Sequence, residues 1–289
     1  MDATRTALRV VQETCPLCGG SRSQELARYD AFVWERCPCG LIYKSQESAE
    51  HDQEALYGEV YFERDAEGRS PYDARFRHRV RKSKHQLRDL MRHAGPGPLL
   101  DVGCSLGYTL QAARELGLEA TGMDVSPFAA ARGRELGFDV CLGSLEELPF
   151  TAASFRLAIL KHVFEHTPEP RSTLRELRRV LRPDGAALLA VPNAEYSKAE
   201  RQGRESSFYR PERGGTEHYV YYTPSTLTRL VEEEGFRCTR VHPHFVHPSA
   251  PWPVVAGELV TALPRMGLFA LRAKLRVLKE FWMVVVPGR

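Results

Sequence analysis

The chain has no long apolar run and no strong excess of one charge. Nowhere in its 289 residues do apolar side chains approach the roughly 18 consecutive positions that a membrane-spanning helix needs. Residues 1–11 carry Arg5 and Arg9 but no apolar core of a signal peptide, so we expect a cytoplasmic protein. The formal net charge of +3 is too small to indicate nucleic-acid binding by itself.

A pure disulfide framework and a repeat protein are also disfavoured. The seven cysteines are odd in number, and we find no internal repeat of the kind that marks a solenoid. Three cysteines are scattered singly, as buried thiols commonly are: Cys104, Cys141 and Cys238. The other four crowd the N-terminal part of the sequence: Cys15, Cys18, Cys37 and Cys39. The composition therefore predicts a globular chain with a small cysteine-rich module.

The sequence divides into three parts. Residues 1–50 are predicted to form the cysteine-rich module, residues 51–97 a linker with a basic helical segment, and residues 98–289 an α/β domain. The polar stretch Lys44–Gln53 predicts the linker. A helix is predicted over Tyr72–Ala94, with four apolar side chains on one face: Phe76, Val80, Leu87 and Met91.

Strand-like apolar segments alternate with helical segments from Pro98 onward. Seven strands are predicted: Pro98–Val102, Ala120–Val125, Phe138–Leu142, Phe155–Leu160, Ala186–Val191, Arg237–Val241 and Phe281–Val286. Helices are predicted among them: Thr109–Leu116, Pro127–Leu136, Ser172–Leu181 and Pro224–Glu234. This rhythm predicts a doubly wound α/β fold, in which helices cover both faces of a mainly parallel seven-stranded sheet.

A helical insertion at about residues 243–280 separates the last two predicted strands. Within it, Leu271–Phe281 has the pattern of an amphipathic helix. Its apolar face carries Leu271, Leu275, Leu278 and Phe281, and its basic residues lie elsewhere: Arg272, Lys274, Arg276 and Lys279. Such a helix either packs on its own domain or makes peripheral contact with an anionic membrane surface.

The turn after the first parallel strand has the features of a nucleotide-binding edge. In an open parallel sheet, ligands bind outside the C-terminal strand ends. The turn reads Asp101-Val102-Gly103-Cys104-Ser105-Leu106-Gly107, and Gly103 permits close approach of a ligand to the backbone. Asp124 ends the next strand, where a carboxylate can bind both hydroxyls of a ribose. The turn lacks the G-x-G-x-x-G of nicotinamide enzymes and has an acid just before it, which favours a cationic, phosphate-free cofactor.

Six segments between Leu99 and Phe236 resemble the class I S-adenosylmethionine-dependent methyltransferases. LLDVGCSLG is similar to their first motif, MDVSP to the second and GSLEELPF to the third. FRLAILKHVFEH, LRPDGAALLAVPN and HYVYYTPSTLTRLVEEEGF resemble later blocks of the branch with small-molecule methylases. The resemblance implies a Rossmann-like fold and S-adenosylmethionine as the cofactor.

The resemblance also implies roles for residues at this edge. The candidate cofactor-binding residues are Asp101, Gly103, Cys104, Gly107, Asp124, Val125, Ser144 and Leu145. Asp101, Gly103 and Gly107 would flank the methionine part, Asp124 would hold the ribose, and Leu145 would offer backbone contact to adenine. Ser144 stands where the family often has an acid, and Ser105 where it often has glycine. The alternative is that Asp101 and Asp124 are only helix caps at strand ends.

The four N-terminal cysteines have the spacing of two metal knuckles, Cys15-Pro-Leu-Cys18-Gly and Cys37-Pro-Cys39-Gly. Zinc favours four thiolates in a tetrahedron, and metal binding would stabilise a segment too short to bury a core. The sequence predicts a structural zinc, because four cysteines leave no open position for catalysis; a redox pair or free thiols are the alternatives. Some methyltransferases of the resembled branch carry such a segment, followed by a Tyr-rich stretch similar to Tyr57–Phe62.

A hydroxyl acceptor needs a base, and histidine suits that role near neutral pH. The catalytic candidates follow two strands at the catalytic edge: His162, Glu165 and His166 after the fourth, and His218 with Tyr219, Tyr221 and Tyr222 after the fifth. His166 or His218 is predicted to be the base. Two alternatives remain: His162 and Glu165 only brace the loop, or Glu165, His166 and His218 bind a metal.

The predicted function is methyl transfer to a small molecule, such as a hydroxyl of a sugar, glycan or secondary metabolite. Four arginines in the loop Arg201–Arg213 suit a phosphorylated or nucleotide-linked substrate, although a solvated loop explains them equally: Arg201, Arg204, Arg210 and Arg213. The alternative function is an RNA methyltransferase that grips nucleic acid with the zinc module and basic helix. Nucleic acid is disfavoured, because the chain shows no aromatic-rich basic motif for stacking bases.

Overall fold

The computed structural model describes residues 14–29, 32–45, 76–194, 218–243 and 280–288. Two sheets lie in these ranges, one of four strands and one of seven. The Tyr-rich stretch Tyr57–Phe62, the loop Arg201–Arg213 and residues 271–279 of the amphipathic helix lie outside the described residues. Within the described ranges, no helix is long and apolar enough to cross a membrane.

The small sheet is antiparallel and joins two distant parts of the chain. Its strands are β1 (Gln24–Arg28), β2 (Val33–Arg36), β3 (Ile42–Ser45) and β9 (Val220–Tyr221), in that spatial order. Strands β1 to β3 form a meander; Cys37 and Cys39 lie in its β2–β3 turn, and Cys15 and Cys18 lie in a turn that precedes β1. Strand β9 comes from the loop after the fifth strand of the large sheet, and Ile42 pairs with Tyr221 and Tyr43 with Val220.

The large sheet has the predicted alternation of strands and helices. Its strands are β4 (Leu99–Val102), β5 (Ala120–Asp124), β6 (Asp139–Leu142), β7 (Phe155–Lys161), β8 (Leu181–Pro192), β10 (Phe236–Pro243) and β11 (Glu280–Pro287). The helices are α1 (Phe76–Ala94), α2 (Tyr108–Glu115), α3 (Pro127–Glu135), α4 (Pro170–Val180) and α5 (Pro224–Glu233), with a 3₁₀ helix at Phe164–His166.

The strand order is β10-β11-β8-β7-β4-β5-β6. Strands β8, β7, β4, β5 and β6 run parallel, while β11 is antiparallel to both of its neighbours. The chain builds outward from β4 to β6 and then returns to β7 on the other side of β4. The switch point of the sheet, where a crevice forms at the C-terminal strand ends, therefore lies between β4 and β7.

Helices cover both faces of the large sheet, as the near-continuous apolar strands predict. On one face, Leu99, Leu157 and Ile159 pack in a core shared with Leu87 and Leu90 of α1. On the other face, strand residues pack against α4 and α5 in a core that extends to the cysteine module: Leu100, Ala158, Leu160, Leu174, Leu177, Leu227, Cys15, Leu17 and Leu41. The doubly wound fold is confirmed, and the cysteine module shares a core with it.

Three predicted boundaries are wrong. Strand β8 begins at Leu181 and not at Ala186, so Leu181 belongs to the strand and not to the preceding helix. The linker does not begin at Lys44, because Lys44 and Ser45 belong to β3 and are buried. The Lys44 ammonium lies 4.7 Å from the centre of the Phe32 ring and 5.2 Å from that of Tyr219, so aromatic faces stabilise its charge. The amphipathic helix does not reach Phe281, because that residue pairs with Val191 of β8 inside strand β11.

Candidate functional site

The turn after β4 has a left-handed backbone at three positions. Gly103, Ser105 and Gly107 have φ angles of 67°, 53° and 79°. Glycine adopts this region without strain, whereas serine does so at a cost. The Ser105 N–H donates a hydrogen bond of 2.8 Å to Asp124 Oδ2, which holds this residue in the left-handed conformation. The turn after β4 and the end of β5 are thus one hydrogen-bonded unit.

Gly103 lies beneath the loop that follows β7. A Cβ at position 103 would collide with Cγ2 of Val163, and one at Gly107 would lie 2.7 Å from a ring carbon of Phe138. Because these two glycines have no side chain, Val163 packs closely on Gly103 and Phe138 packs closely on Gly107. Val163 stands between His162 and Phe164, so this contact places the predicted acid–base loop directly against the predicted cofactor turn.

The Asp124 carboxylate accepts backbone hydrogen bonds on both of its oxygens. Oδ2 receives the Ser105 N–H at 2.8 Å, and Oδ1 receives the Ser126 N–H at 2.9 Å. Burial raises the pKa of Asp124, while the amide bonds oppose that shift. Ser126, in turn, caps α3 by accepting the Ala129 N–H at 3.2 Å. The N-cap of α3 is thus Ser126 and not Asp124, whose carboxylate accepts a third backbone hydrogen bond from Val125 and keeps one acceptor position for a ligand.

Asp101 lies buried beneath the turn, in a charged network that the sequence did not predict. Burial raises the pKa of its carboxyl to about 7, while the charge of Lys161 opposes this rise. Burial likewise lowers the pKa of Lys161 to about 8, and its ammonium donates to Ser83 Oγ of α1 at 2.9 Å. Among the described residues, Asp101 Oδ2 has no hydrogen-bond partner. The network places a buried acid with an unused acceptor next to the turn.

The segment after β6 follows the same strand edge. Gly143 N–H donates to Asp124 O at 2.9 Å, which ties this segment to the end of β5. Ser144 N–H donates to Glu147 Oε2 at 3.0 Å, and the Leu145 side chain is buried in the core. Leu142, at the end of β6, is 39% exposed, one of two large apolar side chains exposed to this degree in the described ranges. An apolar side chain at this edge is a suitable face for a base or another flat ring.

The other two cofactor candidates support the turn. Cys104 is buried, and its N–H donates to Met123 O at 2.9 Å across the β4–β5 edge. Burial raises the pKa of the Cys104 thiol, so the group stays neutral. Val125 is partly exposed between Asp124 and the Ser126 cap. The eight predicted cofactor residues therefore meet at the C-terminal ends of β4, β5 and β6.

His162 lies between two carboxylates. Its Nδ1 is 3.2 Å from Glu165 Oε1, and its Nε2 is 2.9 Å from Glu280 Oε2 of β11. Burial alone would lower the pKa of His162, but the hydrogen bonds to both carboxylates outweigh it and raise the pKa to about 9. The ring is therefore an imidazolium at neutral pH and holds the loop in place through β11. Its backbone is left-handed, with φ of 54°.

His218 has the opposite electrostatic environment. Its ring lies edge-on to that of His166, with centroids 4.5 Å apart, and its Nδ1 is 2.8 Å from the Tyr221 hydroxyl. Burial lowers the pKa of His218 well below its usual value, and the nearby charges of His166, His162 and Lys44 lower it further. His218 is therefore neutral near pH 7. Glu165, His166 and His218 offer ligand atoms within 4.8 Å of one another, so the predicted alternative of a metal at this cluster has suitable geometry.

Four cysteine sulfurs meet in the N-terminal module. All four Sγ atoms lie within 4.8 Å of one another, with Cys15 to Cys39 at 3.6 Å and Cys18 to Cys37 at 3.4 Å. Thiolates held at about 2.3 Å by a tetrahedral ion lie about 3.8 Å apart, so the cluster has the size of such a site. A backbone hydrogen bond from Gly20 lowers the pKa of Cys18 to about 7.

The sequence comparisons agree with the geometry. A protein family described as "Methyltransferase domain" matches residues 63–241, which is more than half of the chain. The chain belongs to this family. The match begins after the cysteine cluster, which lies outside the matched residues.

Curated proteins resemble part of the chain. The chain is 29% identical over 140 residues to the "Probable S-adenosylmethionine-dependent methyltransferase" of Mycolicibacterium smegmatis, a match covering 48% of the chain and 51% of that protein. It is 27% identical over 148 residues to the ubiquinone biosynthesis O-methyltransferase of Aeromonas salmonicida, covering 47% and 61%. The chain thus spans only about half of the length of the first of these relatives.

Solved structures share the fold. An S-adenosylmethionine dependent methyltransferase from Mesorhizobium loti is similar with a TM-score of 0.51 and 17% identity, covering 70% of this chain and 95% of that one. At this identity the likeness concerns the fold alone. The family resemblance and the Rossmann-like fold predicted from the sequence are both confirmed.

Three residues of the site carried little signal in the sequence. Lys161 reads as the end of an apolar strand, Ser83 as an ordinary helix residue, and Glu280 as part of the inserted helix. Each acquires its place from pairing across long separations: Lys161 and Ser83 across 78 residues, and Glu280 with His162 through the antiparallel strand β11. The available signal was Lys161, a charged residue at the end of an apolar strand. A lysine buried there needs a partner, because an unpaired buried lysine is rare.

Proposed function

We propose that the chain is an S-adenosylmethionine-dependent methyltransferase that acts on a hydroxyl of a small molecule. The observation that carries this proposal is the packing of Val163 on Gly103. It brings a histidine-rich loop against the turn where the methyl donor would bind. A donor site and a neutral imidazole near one strand edge are the parts that O-methylation requires.

The residues at the edge fit S-adenosylmethionine. The Asp124 carboxylate keeps one acceptor position for a ribose hydroxyl, and Asp101 Oδ2 is a buried acceptor without a partner among the described residues beneath the turn. Leu142 supplies an exposed apolar surface near Ser144 and Leu145 for adenine. When bound, this cofactor supplies a methyl group on a cationic sulfur.

His218 is the base in this proposal. It is neutral near pH 7, and with its ring proton on Nδ1, donated to the Tyr221 hydroxyl oxygen, Nε2 is the nitrogen that takes the proton of an acceptor hydroxyl. His162 is already protonated and bound to Glu165 and Glu280, so it orders the loop and does not remove a proton. His166, in edge contact with His218, completes the acceptor side.

The cysteine cluster binds one structural zinc ion in this proposal. Four thiolates in tetrahedral spacing fill the coordination sphere and leave no position for a substrate. Zinc would connect the turn at Cys15–Cys18 to that at Cys37–Cys39, and so hold the meander of β1 to β3 together. The predicted three-part division into residues 1–50, 51–97 and 98–289 remains part of the proposal.

Calorimetric titration of S-adenosylmethionine and S-adenosylhomocysteine into metal-loaded protein tests the proposal. We expect micromolar binding that Asp124→Ala weakens at least tenfold. Asp139→Ala is the matched control, because Asp139 lies on the neighbouring strand β6 at the opposite end of the sheet and is exposed. Absence of binding to folded wild-type protein, or equal loss in both variants, would contradict the proposed site.

If cofactor binds, a screen of hydroxyl acceptors with His218→Ala as the control tests the chemistry. We expect the wild-type protein to transfer a methyl group to an acceptor. His218→Ala should bind the cofactor as wild type does but should transfer no methyl group. Methylation of RNA in place of small molecules would instead support the alternative function.

A further inference from the structure

Tyr221 connects the proposed base to the cysteine module. Its hydroxyl lies 2.8 Å from His218 Nδ1, so the ring nitrogen that faces Tyr221 is fixed, and with it the orientation of the imidazole. Tyr221 itself is 2% exposed. A buried hydroxyl in this position acts through the histidine and makes Tyr221 a positioning residue.

The surroundings of Tyr221 come mainly from the module. Its ring packs on Trp34 of β2, with centroids 4.9 Å apart, and its backbone pairs with Ile42 of β3. The apolar cluster that contains Tyr221 otherwise consists largely of module residues: Leu26, Ala27, Tyr29, Phe32, Trp34 and Ile42, with Ala194 from just after β8. The strand that carries Tyr221 is thus the fourth strand of the module's sheet.

The second knuckle of cysteines leads directly into this pairing. Leu41 follows the Cys37–Gly40 turn, and its carbonyl accepts the Cys37 N–H at 2.9 Å, immediately before β3 begins at Ile42. Leu41 also donates a backbone hydrogen bond to the Cys39 sulfur. Whatever holds Cys37 and Cys39 in place therefore sets the start of β3, the strand on which β9 is paired.

The opposite side of the segment is attached to the acid–base loop. Lys44 N–H donates to Tyr219 O at 2.9 Å, and Tyr219 N–H donates to Glu165 O at 2.8 Å. Tyr219 thus connects the module to the 3₁₀ helix that carries Glu165 and His166. The segment from His218 to Tyr222 is held on one side by the module and on the other by this helix.

We propose that the cysteine module builds the acceptor side of the site, so that an ion bound by its four sulfurs sets the order of His218 through β3, β9 and Tyr221. This inference rests on the proposed function for the role of His218. The structural coupling itself needs neither cofactor nor acceptor, so its test is independent of methyl transfer.

Hydrogen exchange of the full chain tests the coupling, with zinc-loaded protein compared with protein stripped by a chelator. We expect at least a tenfold loss of protection for amides of residues 219–222 on metal removal, with little change for residues 157–160 of β7. Retained protection at residues 219–222 in the stripped protein would overturn the proposal.

A second measurement covers the case in which stripped protein loses protection everywhere. The ¹⁵N shifts of the His218 ring report its tautomer in zinc-loaded protein. Tyr221→Phe and Trp34→Ala should make the ring sample both tautomers, while the matched control Tyr222→Phe should not. The Tyr222 hydroxyl is buried and has no hydrogen-bond partner among the described residues. A single unchanged tautomer in both test variants would show that the module does not position His218, whatever the outcome of the cofactor titration.

Discussion

Val163 fills the space above Gly103, and the two residues fix the distance between the donor turn and the acid–base loop. The contact joins the ends of β4 and β7 at the switch point of the sheet. It leaves no room for a side chain at position 103, so the requirement for glycine here comes from the protein as much as from any ligand.

Gly103→Ala should destabilise the protein and displace the loop. The left-handed backbone, with φ of 67°, should cost about 1–2 kcal/mol for alanine, and the collision with Val163 should add to this cost. Gly117→Ala is the matched control, because Gly117 has φ of 71° and no described atom lies within 4 Å of its added Cβ. Urea unfolding should give a larger loss for Gly103→Ala than for Gly117→Ala. Equal losses would mean that Val163 moves aside freely.

The charge of His162 should make stability depend on pH. Its pKa is raised from 6.5 to about 9 in the folded state, so its stabilising contribution is complete below pH 6.5 and disappears as pH rises through 9. The wild-type advantage in unfolding free energy over His162→Asn should therefore shrink between pH 6 and pH 9.5. Asparagine is chosen because it tolerates the left-handed backbone. His85→Asn, on the exposed face of α1, should show no such trend.

Cys37 should be as important for metal binding as Cys15, although only one residue separates it from Cys39. Both sulfurs lie in the cluster, so Cys37→Ser and Cys15→Ser should each lower the metal content of purified protein. Cys141→Ser should retain one equivalent. Cobalt-substituted protein should show thiolate charge-transfer bands that both cluster variants lose. If wild-type protein holds a second equivalent of metal that His218→Ala lacks, that metal is bound by Glu165, His166 and His218.

Arg171 should contribute to the attachment of the module to the α/β domain. Its guanidinium donates to Leu17 O at 2.8 Å, Glu234 at 2.7 Å and Glu233 at 2.6 Å. Arg171→Ala should cost about 1–3 kcal/mol, because it leaves the partly buried Glu234 with weaker partners. Arg175 reaches Glu234 at 3.5 Å and is 61% exposed, so Arg175→Ala should change stability by less than about 0.5 kcal/mol. Equal effects of both variants in thermal unfolding would contradict this role.

Local signals predicted the elements of the large sheet. Most of the strands and connecting helices begin and end close to the predicted residues, because apolar runs and the glycines after them, such as Gly117 and Gly137, are determined within a short stretch of chain. Strand β8 is the exception, because it begins at Leu181 and not at the predicted Ala186. The same holds for the cysteine cluster, whose two pairs lie on tight turns. The edge of β4 and β5 was predicted for the same reason.

Features that depend on distant pairing were missed. Strand β9 has two residues and therefore no periodicity, so the sequence read Tyr219–Tyr222 as a loop. Lys44 was predicted to begin a linker. The rings that stabilise its charge include Tyr219, which is distant in the sequence, so the local sequence does not show that Lys44 is buried. The opposite charge states of His162 and His218 follow from Glu280 and from burial, neither of which is visible in the local sequence.

The position of β9 in the chain has a consequence for synthesis. The first three strands of the small sheet emerge from the ribosome long before Tyr221, and Leu17 is separated from its partner Arg171 by 154 residues. Until β9 arrives, β3 presents an unpaired edge, which invites pairing with another chain. Closing so long a loop also slows folding. The module is thus the first part of the described chain to be made and among the last to be completed.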